Sequence, residues 1–125
     1  MAAEATLEYY FKLSGLRSQD DVVAGLGTEA DTPTASSGVQ YRTLAVADTE
    51  ETLDVGDITT VDVIILKAID YDVAIDTSFS AAFSTEIIAR AGGMPVVFTP
   101  GGTVKVKNVT ASQTPKYEYL AVGRT

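Results

Sequence analysis

The chain has 125 residues with no His, no Cys and no Trp, and its 17 acidic and 9 basic side chains give a net charge of −8. Without His and Cys it lacks the usual neutral-pH base, the sulfur nucleophile and the common transition-metal ligands, which excludes Ser-His-Asp and Cys-His hydrolases, zinc fingers and His- or Cys-ligated haem and iron–sulfur centres. The acidic balance argues against nucleic-acid binding, whose affinity comes largely from Lys and Arg neutralising phosphates.

Hydrophobic residues make up 46% of the chain and charged ones 21%, the composition of a globular protein. One domain over 1–125 is expected, long enough to bury roughly two-thirds of its unfolded surface. No apolar run approaches the ~20 residues of a membrane span. Met1 to Glu8 contains Glu4 and Glu8 and no basic residue, unlike a signal peptide, so synthesis in a cytoplasm is the expectation.

Residues 6–13 alternate, with Leu7, Tyr9, Phe11 and Leu13 on one side and Glu8, Tyr10 and Lys12 on the other. That period of two is a half-buried strand. Val22 to Leu26 is a weaker apolar run that stops at Gly27. Thr28 to Gly38, with Asp31, Pro33, Ser36 and Ser37, has little to bury and reads as a long loop or an arm that orders on a partner. Beyond it, strands are predicted at Val39–Ala47, Thr52–Val55, Thr59–Ala68 and Val73–Ile75, followed by Glu86–Ala89. Val96–Phe98 and Thr103–Val109 flank Pro100-Gly101-Gly102, a hairpin signal, and Tyr117–Val122 closes the chain. Thr59–Ala68 is apolar enough to be a central strand covered on both faces. All four prolines fall at boundaries, where a missing ladder N–H does no harm. Eight to ten short strands with regular turns indicate an all-β, two-sheet antiparallel β-sandwich, jelly-roll or immunoglobulin-like, with a β-barrel as the second choice.

Charge is uneven along the chain. Residues 1–85 hold 15 acidic and 4 basic side chains, a net of −11, and residues 86–125 hold 2 and 5, a net of +3. The halves either interleave on one surface or let a basic edge meet an acidic face of a neighbouring copy.

Few groupings suggest chemistry. Gly25-Leu26-Gly27-Thr28-Glu29-Ala30 matches a dinucleotide fingerprint, but no helix follows to hold a pyrophosphate, so these are read as turn glycines at a strand end. Asp70, Asp72 and Asp76 have calcium-loop-like spacing, yet Ala74 and Ile75 occupy positions that need an oxygen ligand and Gly. They read as solvated turn residues, as does the cluster Asp48, Glu50, Glu51, Asp54 and Asp57. Glu86 and Glu118 are the carboxylates a His-free glycosidase would pair, but no Trp platform accompanies them. Asn108-Val109-Thr110 is a glycosylation sequon in form only. No catalytic, cofactor-binding or metal-binding residue is expected.

From Glu51 onward the order of elements carries more than any single motif. It runs Leu53-Asp54-Val55-Gly56-Asp57-Ile58, Val63-Ile64-Ile65-Leu66, Ile69-Asp70-Tyr71-Asp72 and Val73-Ala74-Ile75, then Ala89-Arg90-Ala91-Gly92-Gly93, Val96-Val97-Phe98 and Glu118-Tyr119-Leu120. This order resembles small β-sandwich virion structural proteins of tailed bacteriophages, with two departures: Lys67-Ala68-Ile69-Asp70 replaces an Asn-rich turn, and Arg90 stands at a Lys-containing turn. The resemblance implies a non-enzymatic capsid decoration (cement) protein, or a neck or tail component, made in the bacterial host cytoplasm and carried in the virion. Its partners would be the major capsid protein or other virion proteins, together with self-association, and no nucleic acid or membrane. A carbohydrate- or host-surface-binding module is the alternative. Contacts are expected on the N-terminal strand and the 28–38 loop, with Tyr10, Asp31, Pro33, Ser36 and Tyr41 as candidate interface residues.

Overall fold

A computed structural model describes residues 35–125 in full, together with the backbone pairing of Ala5–Leu13 (β1) and Val22–Asp31 (β2). The chain divides into two compact units, 1–33 and 34–125. In the first, β1 and β2 form an antiparallel hairpin in which Tyr9 pairs with Gly27 and Tyr10 with Gly25, leaving Leu26 as a bulge. Gly25 and Gly27 thus flank a bulge inside a strand, a usual place for Gly, and are not turn residues at its end.

The second unit is all-β, with nine strands in two antiparallel sheets, as a β-sandwich requires. Ala35–Ser36 (β3), Gln40–Thr43 (β4), Thr60–Ala68 (β6), Val96–Phe98 (β9) and Lys116–Arg124 (β11) make the larger sheet, ordered β3-β11-β6-β9, with β4 also paired to β11. Glu51–Thr52 (β5), Val73–Asp76 (β7), Ile87–Ala89 (β8) and Lys105–Asn108 (β10) make the smaller, ordered β5-β10-β7-β8. The sandwich expected over 1–125 is therefore drawn from 34–125. The loop expected at 28–38 is corrected too: β2 runs through Asp31, and Ala35 and Ser36 pair with Gly123 and Val122. Composition showed little there to bury, but strand pairing by backbone needs no apolar side chain.

Alternation places the core. Tyr117, Tyr119 and Ala121 of β11 and Ile64, Leu66 and Ala68 of β6 are buried, and they meet Val73, Ile75 and Val106 of the smaller sheet. The Tyr117 and Tyr119 rings stack at 6.0 Å. The Tyr119 hydroxyl donates to the Asp54 carbonyl, which satisfies the one polar atom this aromatic brings inside. Contrary to the expectation for 59–68, β6 is covered on one face only, since Val63 and Ile65 on the other remain half-exposed.

One connection differs from the expectation. Pro100-Gly101-Gly102 does not close a hairpin, because β9 pairs with β6 while β10 pairs with β5 and β7 in the other sheet. The Gly101 and Gly102 N–H groups donate to the Thr77 carbonyl, making a corner between sheets. Turn chemistry marks a reversal without saying which sheet receives the next strand. The stretch 78–84, small and polar around two Phe residues, folds back over the outer side of β7 and β10. Phe79 lies under the Lys105 ammonium at 3.9 Å and Phe83 lies 5.8 Å from that of Lys107. This cover explains why all four residues of β7 are buried.

Candidate interaction surface

The acidic turns are structural. Asp76, 2% exposed, accepts from the N–H groups of Ser78 at 3.1 Å and Ser84 at 2.9 Å, closing the neck of the excursion. The Ser84 amide is the main cause holding its carboxyl below the usual range, against the opposing effect of burial. Asp72 accepts from Ala91 N–H at 2.8 Å and from Arg90 at 2.9 Å, and these bonds, the backbone one first, depress its pKa. Asp70 accepts from Lys116 N–H. The three aspartates of calcium-like spacing therefore serve three separate joints, and among the described residues no group of three His, Cys, Asp or Glu side chains is placed to hold a metal.

Glu86 and Glu118 sit at different elements. Glu86 lies just before β8 and accepts from the hydroxyls of Thr77 at 2.7 Å and Ser78 at 2.9 Å. Glu118 lies on β11, paired with Tyr41 and Lys67. Asn108 of the sequon is 6% exposed, and its Nδ2 donates to Asp48 and to the Thr110 carbonyl. In the 48–57 cluster, Asp54 caps the turn at Gly56, whose positive φ of 64° suits a residue without Cβ, and pairs with Arg42 at 3.6 Å.

Two open cavities lie among the described residues. One of about 440 Å³ is lined by Leu53, Val55, Ile58, Pro100 and Val104 among others, with no charged side chain. A second, about 350 Å³, lies beside Ser36, Ser37, Gln40, Asp54 and Asp57.

The outer face of the larger sheet stands apart. A solvated sheet face is normally polar. Here Leu120, Val122, Val63, Ile65 and Val97 share the outward side of β11, β6 and β9 with the charged pair Glu118 and Lys67, and Tyr41 of β4, 71% exposed, and Val39, 58% exposed, lie beside them. Of the expected interface residues, Tyr41 lies on this face, opposite Glu118. Ser36 is exposed on β3 at the same edge of β11, and its Oγ accepts from Gly38 N–H. Tyr10 of β1 pairs with Gly25 and Asp31 of β2 with Ala5, and Pro33 lies outside the described residues. The face itself escaped the sequence reading, although the unbroken run Val63-Ile64-Ile65-Leu66 signalled apolar residues on both sides of β6. Comparison with protein-family models, curated proteins and solved structures finds no match to this chain.

Proposed function

We propose that this protein is a non-enzymatic virion structural component of a tailed bacteriophage, a capsid decoration protein that binds neighbouring subunits by shape and apolar area. The observation that carries the reading is the outward apolar face of the larger sheet, with Tyr41 at its margin. Exposed apolar patches rimmed by polar residues mark interaction sites, and aromatic side chains are enriched where binding energy concentrates. The order of motifs from Glu51 to the C-terminus supports the phage assignment. The use of Asp48, Asp72 and Asp76 as turn fasteners supports a scaffold over a catalyst. Binding at many equivalent sites would let a modest contact hold through avidity.

Gold-labelled antibody against the protein, applied to purified particles from a producing lysate, tests the reading. Label repeated over the head is the expected result. Label confined to neck or tail reassigns the position, and particles lacking the protein overturn the proposal.

A further inference from the structure

The apolar face has a pattern that a second copy of the chain would match. Backbone register sets its rows. Across one row, Leu120 pairs with Ile65 and Ile65 with Val97. Across the next, Tyr41 pairs with Glu118 and Glu118 with Lys67. Pro95 precedes Val96, which is level with Leu66, so it extends the second row, and Val39 precedes Gln40, which is level with Tyr119, so it extends the first. Val39, Ile65, Lys67, Pro95, Glu118 and Leu120 all line one shallow groove of about 220 Å³.

From this arrangement we propose that the outer face of the larger sheet is a docking surface for a second copy of the same chain, related by a two-fold axis running parallel to the strands between β11 and β6. Such an axis keeps each row level and reverses the order of strands across it. β11 then lies over the partner's β6, Leu120 over the partner's Ile65, and Val39 over the partner's Val97. In the second row, Glu118 lies over the partner's Lys67, and Tyr41 over the partner's Pro95. A two-fold interface must be self-complementary, and this one places opposite charges together twice while its apolar row meets itself. Other two-folds in the plane do not. An axis across the strands turns the rows end for end and matches β11 with β11, which breaks both Glu118–Lys67 meetings. Sheets packed face to face sit about 10 Å apart and about 30° from parallel, so the register holds best near the axis, where these four residues are. With β11 and β6 roughly 30 Å long and β4 and β9 roughly 10–14 Å, set about 4.8 Å apart, the plane is about 400 Å², half of the roughly 800 Å² per partner of a standard interface.

Charge exchange tests the proposal in the full-length protein. Wild type should sediment as a dimer at micromolar concentration. Glu118→Lys sets Lys against the partner's Lys67, and Lys67→Glu sets Glu against the partner's Glu118, so each variant alone should dimerise at least about tenfold more weakly. Mixed one to one, the two variants restore both opposite pairs and should form a heterodimer. Val97→Asp, at a position already 40% exposed, should also weaken the dimer. Circular-dichroism melting checks that each variant is folded, and Val97→Asp carries the test if either charge variant is not. A monomeric wild type, a dimer insensitive to the variants, or a folded pair that fails to complement would overturn the proposal. Each of these results is independent of where antibody labels the particle.

Discussion

Asp48 and Asn108, sixty positions apart, bond each other reciprocally. The Asp48 N–H donates to Asn108 Oδ1 at 2.8 Å, and Asn108 Nδ2 donates to Asp48 Oδ1 at 2.8 Å. Asp48 also accepts from Ser112 N–H at 3.0 Å, so one residue ties the turn after β4 to the end of β10 and the loop beyond it. Both Asp48 and Ser112 adopt positive φ, 64° and 68°. Short polar residues tolerate that region better than most, and a surrounding bond network is what holds them there.

Replacing Asn108 with Ala should therefore cost about 1–3 kcal/mol, the usual penalty when buried partners lose their hydrogen bonds. Asn108→Asp should cost more, because the donor facing the Asp48 carboxylate becomes a second negative charge. Urea-unfolding midpoints rank the three proteins. An unchanged midpoint for Asn108→Asp would show that the joint contributes nothing.

Acid should unfold the protein within a defined window. Asp48, Asp72 and Asp76 all have folded-state pKa values below the ordinary 3.8, each through hydrogen bonds to its carboxylate. A depressed folded pKa means that the unfolded chain binds more protons, so this stabilisation is complete above 3.8 and is lost as pH falls through the lower folded values. Between pH 7 and the isoelectric point near 4.3, relief of the excess negative charge acts in the opposite direction. Thermal midpoints should hold or rise slightly from pH 7 to 5 and fall below about pH 4. Asp76→Asn should fall less steeply with acid. A higher midpoint at pH 3 than at pH 7 would contradict this account.

Chelation should leave stability unchanged. Asp70, Asp72 and Asp76 already accept from Lys116, Ala91 and Ser84 N–H groups respectively, on three different parts of the fold. A melting temperature several degrees lower in EDTA would mean that a bound cation contributes to folding.

What the sequence made legible was local. Tyr117–Val122 was legible as the closing strand, now β11, and the apolar run Val63 to Leu66 located β6. The fold class followed from strand number and turn spacing. What stayed hidden depends on partners distant in sequence. Pro100-Gly101-Gly102 looks the same whether it joins paired strands or crosses between sheets. The pairing of Ala35 and Ser36 with β11 runs through backbone groups that no side chain announces. Among the candidate residues, Tyr41 stood out as an aromatic, but the row joining it to Glu118 and Lys67 exists only once β4, β11 and β6 are in register.

Gly123 is a tight spot in that register. β11 shifts against β6 between Val122 and Gly123, leaving Asp62 as the extra residue of a bulge. A Cβ at Gly123 would overlap the Thr60 carbonyl and lie 2.8 Å from Ile58 Cγ2 and 2.9 Å from Val61 Cα. Two of these neighbours are backbone atoms, which cannot rotate away. Gly123→Ala should cost about 3 kcal/mol or more, at the upper end of overpacking penalties, read as a shift in urea midpoint. Wild-type stability in this variant would mean that the bulge is not formed as described.

Ser37 tests whether the segment before β4 belongs to the fold or only to assembly. Its N–H donates to the Ala121 carbonyl at 2.9 Å, while its Oγ accepts from Ala121 N–H at 2.9 Å and donates to the Gly38 carbonyl at 2.7 Å. The Ser37 carbonyl in turn accepts from Gln40 Nε2 at 2.7 Å. Composition marked 28–38 as a loop or arm with little to bury, but Ala121 is fully buried, and removing the Ser37 hydroxyl takes the partner from its N–H. Ser37→Ala should therefore cost about 1–3 kcal/mol. Ser36→Ala should cost less than about 1 kcal/mol, since its Oγ makes an exposed bond to Gly38 N–H that water can replace. Paired urea titrations of the two variants decide between the readings. Equal small effects would return the segment to the status of a free arm, whereas a loss confined to Ser37→Ala makes it a fixed edge of the larger sheet.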